Sequence, residues 1–448
     1  MISKRCRPLF RYELFGFAIL SLSLLACFPL YSQVTGGMLS GTVTDPSGAV
    51  VPGAKIIVTN TATGVSRKAT TNSAGLYTAP NLQPGSYQIT ASATGFATQV
   101  RPGVNMTVGG QQVLNLVMQV GVITQTVEIT TAPPIVQLST SEITHEVSAT
   151  TVRELPLNGR DWTQLATLQP GVISMGSLQP GIGSGSGSAR GNRGFGTQLS
   201  ISGGRPEQNN YRIDGISVND YDNSSPGDAL GVALGVDSIQ EFSVLSSNYS
   251  AAYGRTSGGV INAITRSGTN SFHGSAYEFL RNAALDSRNY FDKTQIPPFR
   301  RNQFGASGGG PIKKDKTFIF ADYEGLRQSL GVTNVDTVPS ANARNGIIVN
   351  SGGTISNITV NPSVAAFLPL WRLPNGPLLG QGNTGIYSFV SNQIATENFF
   401  TIRLDQHFSA KDSLSGVYRF DDSLVSLPDV LNDVLTGQKA ADQSVSVE

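Results

Sequence analysis

Catalysis needs a nucleophile, an acid or a metal ligand within reach of a partner, and the 448-residue sequence is sparse in such groups. Its three histidines, His145, His273 and His407, are widely separated. His145-Glu146 is not followed by a histidine four residues on, so the helical two-histidine grip on zinc is missing. Residues 183–187 read GSGSG, which fits the letters of a serine elbow, but they sit in a glycine-serine run rather than between a strand and a helix. No GxxxxGK[ST] cradle for phosphate is present. Cys6 and Cys27 lie near the N-terminus, leaving the rest without thiols. These absences predict a non-enzyme with no metal and no cofactor. What remains is Arg190, Arg193, Phe195 and Arg205 in and just after the glycine-serine run of 176–204. Guanidinium and aromatic groups on loops suit an anionic or sugar-like ligand, although solvated loop charges fit the same pattern.

Fifty glycines and 14% charged residues describe turns and short strands better than helices. A mainly β chain of several domains is expected at this length. Lys4, Arg5, Arg7 and Arg11 precede an apolar run from Leu14 to Leu30, and Ser32-Gln33 is a plausible cleavage point, so 1–32 reads as a secretory signal. A retained anchor, or acylation of Cys27 in the Leu24-Leu25-Ala26-Cys27 string, are the alternatives. The net charge of +1 is exceeded by that leader's own surplus, so no basic field argues for nucleic acid.

From 33 to 120, short strands alternate with turns such as Asp45-Pro46-Ser47-Gly48, as in a small β-sandwich. Ala54, Ile56 and Val58 share a core face, and Lys55, Ile57 and Thr59 the opposite one. The strings GTVTDPSGAVVPGA, NSAGLY and LQPGSYQITASATGF resemble the carboxypeptidase regulatory-like domain, which implies a non-catalytic extension that contacts partners or glycan, or a spacer. A linker, 121–134, contains the β-branched run Thr126-Val127-Glu128-Ile129-Thr130 before Pro133-Pro134.

Residues 135–269 hold ELPLNGRDWTQLATLQPGV, in which Asn158 or Gly159 can start a short helix bearing Trp162, Leu165 and Leu168 on one stripe. Farther on, Asp214-Gly215 between strand formers predicts a tight hairpin. A strand from Ile239 to Leu245 then leads through Tyr253-Gly254 and Gly258-Gly259 into a second, Val260 to Thr265. This pattern is similar to the plug of TonB-dependent outer-membrane receptors, and with the preceding unit it resembles their Oar-like subgroup. The resemblance implies that Thr126–Thr130 is a TonB box, which adds a strand to TonB, driven by the ExbB/ExbD complex. The same residues fit a last strand of the sandwich or plug equally well.

From 270 to 448 the sequence turns to strands at 272–280, 302–312, 317–327, 398–408 and 414–420, with long loops (281–301, 328–397) alternating with short turns (313–316, 409–413). Phe400, Ile402, Leu404 and Phe408 face one way, and Thr401, Arg403, Asp405 and His407 the other, as lipid-facing and lumen-facing residues do in a membrane barrel. A plug-holding barrel needs about 22 strands, and five are legible. The fold class expected is therefore mainly β: a small sandwich, an α+β plug, and the first strands of an incomplete antiparallel transmembrane β-barrel with a free edge. The expectation is an N-terminal fragment or truncated product. The resemblance implies an outer-membrane receptor for active uptake of a siderophore, cobalamin, oligosaccharide or peptide, with the sandwich in the periplasm. The alternatives are a surface-binding or adhesive protein without transport and a non-functional truncated product.

Overall fold

The computed structural model describes residues 36–121, 126–128, 142–155, 157, 160–175, 198–219, 235–254, 256–288, 296–410, 412–428 and 435–447. The expected signal segment 1–32, with Cys6 and Cys27, lies outside them, as do Asn158, Gly159 and residues 176–197 of the glycine-serine run.

Strict alternation builds the first unit. Strand β1 (Gly37–Thr44) buries every second residue, Leu39 and Val43 among them. It is followed by β2 (Lys55–Asn60), β3 (Ser66–Thr70), β4 (Leu76–Leu82), β5 (Gly85–Ser92), β6 (Thr98–Met106), β7 (Gln111–Val113), β8 (Leu116–Val117) and β9 (Thr126–Glu128). One sheet runs β4-β1-β7 with β8 also on β1, and the other runs β3-β2-β5-β6-β9. Their facing sides close over Ile56, Val58, Tyr77, Ile89, Val104 and Met118, and Ala54, Ile56 and Val58 share the buried face as expected. The Asp45 turn is held by its own carboxylate, which accepts from the N–H groups of Ser47 and Ala49 at 2.8 and 2.9 Å. Strand β6 carries Pro102-Gly103, a pair typical of turns. In the structure it is a bulge, with Gly103 at φ 73° and a register shift against β5.

The second unit centres on a sheet ordered β10-β15-β16-β13-β14, made by β10 (Ile143–Val147), β13 (Asn210–Ile213), β14 (Ile216–Ser217), β15 (Ile239–Ser247) and β16 (Val260–Thr265). A separate pair, β11 (Val172–Ser174) and β12 (Leu199–Ile201), lies between them in sequence. Register puts Val147, Phe242, Ala263 and Ile213 in one row and Val244, Ile261 and Tyr211 in the next, so one face is apolar. The opposite face carries Glu146, Ser243, Asn262 and Arg212. Trp162 closes the apolar face edge-on to Phe242 at 5.0 Å. Its helix begins at Trp162, not at Asn158 or Gly159. Asp161 caps it by accepting from Thr163 N–H, and the turn is of the tighter 3-10 kind. Trp162 and Leu165 are buried, and Leu168, the last residue of the helix, is 59% exposed.

The third sheet is an antiparallel meander of β17 (His273–Asn282), β18 (Phe299–Lys313), β19 (Thr317–Pro339), β23 (Thr384–His407), β24 (Ser413–Pro428) and β25 (Leu435–Val447). A small hairpin, β20 (Ile347–Val349) with β21 (Ile355–Asn357), and the short β22 (Leu378–Leu379) lie in the connection before β23. β17 and β25 are the outer strands of the path, so the sheet is open among the described residues. The inward and outward faces are as expected: Thr401, Arg403 and Asp405 are buried, whereas Leu404 is 45% exposed. Two expectations need correction. β19 and β23 remain paired from Thr317↔Gln406 to Pro339↔Thr384, so both ends of the expected 328–397 loop, 328–339 and 384–397, are sheet. At about 3.3 Å per residue such strands outrun a hydrocarbon layer about 30 Å thick, and the excess needs no apolar alternation. β25 was also unexpected, because Gln438 to Gln443 shows no apolar stripe; its thirteen residues are registered on β24 from Pro428↔Leu435 to Gly416↔Val447.

Candidate functional site

Buried charge gathers where the second unit meets the lumen side of the open sheet. Asp214 and Gly215, at φ 47° and 77°, form the two-residue turn joining β13 to β14, a geometry that Asp-Gly adopts readily. The turn aims the Asp214 carboxylate at β16 and the wall. Oδ1 accepts from Thr265 N–H at 2.9 Å and from its hydroxyl at 3.0 Å. Two wall guanidiniums complete the cluster, Arg403 at 3.7 Å and Arg419 at 3.4 Å. Arg403 is gripped by Asp405 through Nε and Nη2 at 2.9 Å each and donates from Nη1 to the Thr265 carbonyl at 2.9 Å. Asp405 also accepts from Ser267 and Ser415. Arg403, Asp405 and Arg419 are 5%, 1% and 2% exposed, a depth at which charges persist only when paired.

A second cluster lies across β17 to β19. Arg160 pairs with Asp237 at 2.5 Å and with Glu324 at 3.5 Å, and its guanidinium stacks 3.9 Å from the centre of the Tyr277 ring. Ser275 donates to Asp237 at 3.0 Å, and Gln303 to Glu324. Burial pulls the Arg160 pKa down, but Glu324, Tyr277 and Asp237 more than offset it, so the group titrates above its ordinary range. Arg266, over Phe320 at 5.5 Å, is instead lowered, by burial and by Arg153. Gly235 and Gly268 allow close approach to the wall: a Cβ at 235 would stand 2.4 Å from the Glu324 side-chain Oε2, and one at 268 would stand 2.5 Å from the Ile319 carbonyl oxygen.

The sandwich is tied to both other units. Val108 N–H donates to Glu241 at 2.5 Å. Burial, with Glu146 alongside, pushes the Glu241 carboxyl up to about 8. Asn270 donates to the Thr63 carbonyl at 2.8 Å and to Asp315 at 2.7 Å, linking a sandwich turn to the short β18–β19 turn.

Of the residues singled out from sequence, Asp214 and Gly215 sit at the centre of the first cluster. Thr126, Val127 and Glu128 form β9, in parallel register with Thr98, Gln99 and Val100 of the sandwich. Ile129, Thr130, Arg190, Arg193 and Phe195 lie outside the described residues. Arg205 is exposed at the start of the turn Pro206–Gln208. The sequence reading passed over Arg160, Asp237, Asp322, Glu324 and Arg419. Alternation along the wall strands signals which charges point inward, but nothing local says which plug residue meets them.

Three family models match in succession: Carboxypeptidase regulatory-like domain over 38–119, TonB-dependent Receptor Plug Domain over 137–260, and Outer membrane beta barrel domain over 264–447. The chain belongs to the TonB-dependent outer-membrane receptors. It is 29% identical over 295 residues to the TonB-dependent transporter Oar of Myxococcus xanthus, covering 63% of this chain and 26% of that protein, so it spans about a quarter of the relative's length. Among solved structures it is similar to the outer membrane transporter YddB of Escherichia coli, at 15% identity and TM-score 0.41, over 68% of this chain and 36% of the other. The siderophore receptor PirA of Acinetobacter baumannii gives 18% identity and TM-score 0.35, over 68% and 44%. The family assignment rests on the sequence models. In this receptor, then, the two clusters tie plug to barrel wall. Each is a set of paired charges, and Phe399 of the wall adds an apolar contact by packing into the plug's core.

Proposed function

We propose that the protein takes part in energy-coupled uptake across the outer membrane, with the plug as the moving part. The observation that supports this best is the Asp214, Arg403 and Arg419 cluster, a closed but polar junction. Polar junctions of this kind are stable when complete and can be rehydrated when pulled apart, as a plug that opens and recloses requires. The ligand binds at the external face of plug and barrel, and its class is a siderophore, cobalamin, an oligosaccharide or a peptide. Arg190, Arg193, Phe195 and Arg205 are candidate contacts. Force arrives from TonB, energised by ExbB/ExbD, through Thr126–Thr130 in the linker. A signal in 1–32 exports the chain, and the sandwich lies in the periplasm. That orientation is supported by the Asn270 and Asp315 contact, which puts the sandwich at the end of the sheet bearing short turns. No catalytic step is assigned.

Deleting Gly121–Pro134 in the intact gene tests the proposal. Cells are compared for uptake of radiolabelled ferric siderophore, cobalamin, oligosaccharide and peptide. Uptake of one of these that vanishes on deletion is expected, and uptake that survives it removes energy coupling through this linker.

A further inference from the structure

The segment chosen from sequence as the TonB box is not free. Thr126–Glu128 lies as a parallel strand along Thr98–Val100, at the end of the five-stranded sandwich sheet. The approach to this position is fixed as well. Ala97 N–H donates to the Gln119 carbonyl at 2.9 Å, Gly121 N–H to the Gly95 carbonyl at 3.2 Å, and Phe96 bridges Val120. Without β9, the start of β6 would present unpaired backbone groups, and covering such an edge is a standard way of blocking stray strand addition. The register sets Val127 beside Gln99, which is buried at 5% exposure.

We infer that the β6 edge of the sandwich is a resting dock for this receptor's own coupling segment, and that the sandwich withholds the segment from TonB until it is lifted off. A partner that recognises a peptide by strand addition binds its main-chain N–H and C=O groups, and those that β9 directs at β6 are already paired. The sandwich also contacts the plug at Glu241 and the wall turn at Asp315. Docking therefore couples the availability of the segment to the resting position of plug and barrel. The inference rests on the reading of Thr126–Thr130 as the coupling peptide.

The test uses the full chain with Cys6→Ser and Cys27→Ser, adding Thr98→Cys and Thr126→Cys at one register pair. Paired strand positions fall within disulfide reach. The two introduced thiols should cross-link under mild oxidation without denaturant. The purified C-terminal domain of TonB should then bind the oxidised form at least tenfold more weakly than the reduced form, with dithiothreitol restoring affinity. Failure of the thiols to cross-link in the folded chain overturns the dock. Equal or tighter binding by the oxidised form overturns withholding. A parallel deletion of Thr126–Thr130 tests the underlying reading separately. If deletion abolishes TonB binding while the cross-link has no effect, the coupling peptide stands and withholding falls. If deletion leaves binding intact, the coupling reading falls, and withholding with it.

Discussion

Replacing Asp214 with asparagine isolates charge from shape. Asparagine tolerates the positive φ of 47°, and its amide oxygen can still accept from Thr265, so the hairpin turn keeps its geometry. What is lost is the counter-charge to Arg403 and Arg419. Arg403 retains its two-point grip on Asp405. Arg419, only 2% exposed, is left with Ser444 Oγ at 3.1 Å and the nearby charge of Asp442. Orphaning a buried charge costs about 3–5 kcal/mol. The separations of 3.4 and 3.7 Å are long for hydrogen-bonded pairs, so about 2–3 kcal/mol is expected here. Hydrogen exchange of the amides in Asn210–Ile213, measured on the receptor in nanodiscs, reads that loss as local opening. At 1.4 kcal/mol per decade, Asp214→Asn should speed exchange roughly 30- to 150-fold. Adding Arg419→Met removes the orphaned charge and should restore more than half of the protection. Exchange unchanged within about threefold, or a double variant whose losses simply add, would refute the lock.

The remaining predictions concern close approach, pH and the core. Gly268→Ala puts a methyl 2.5 Å from the Ile319 carbonyl oxygen and 2.7 Å from that of Gly310; since both are backbone, plug docking should weaken by about 1–3 kcal/mol, seen as faster exchange of β16 amides with barrel protection unchanged. Glu241 is an acid whose folded pKa, about 8, lies above its ordinary value of 4.5, so the folded state holds the extra proton. Its contribution is complete below pH 4.5 and is lost as pH rises through 8. Exchange at Thr107–Gly110 should therefore accelerate from pH 5 to about 8.5 beyond the intrinsic rate, and Glu241→Gln should flatten that excess. Trp162→Ala, at a residue 2% exposed, should cost about 3–5 kcal/mol and lower the plug's melting transition.

The sequence was most informative where a local rule has a single solution. Asp-Gly between strand formers gave the β13–β14 turn, and period-two alternation gave both the sandwich core at Ile56 and Val58 and the inward set of Thr401, Arg403 and Asp405. It was silent where structure depends on distant pairing. β25 has no apolar alternation over Gln438–Gln443, and backbone register on β24 places it. The Trp162 helix was displaced because its start depends on the Asp161 cap, which accepts from two groups of Thr163. The lock itself joins residues 189 and 205 positions apart. Arg403 and Arg419 look the same from sequence whether they meet solvent, ligand or Asp214.

Pulling the bilayer-embedded receptor from residue 126 in a single-molecule force experiment asks whether the plug is a separable body, held to the wall by paired charges and released through its N-terminal connection. The segment up to Thr269 should be released while β17–β25 stay in the membrane, with a force peak at Asp214 that Asp214→Asn lowers. Extraction of barrel strands before the plug, or a peak unmoved by that substitution, would contradict this.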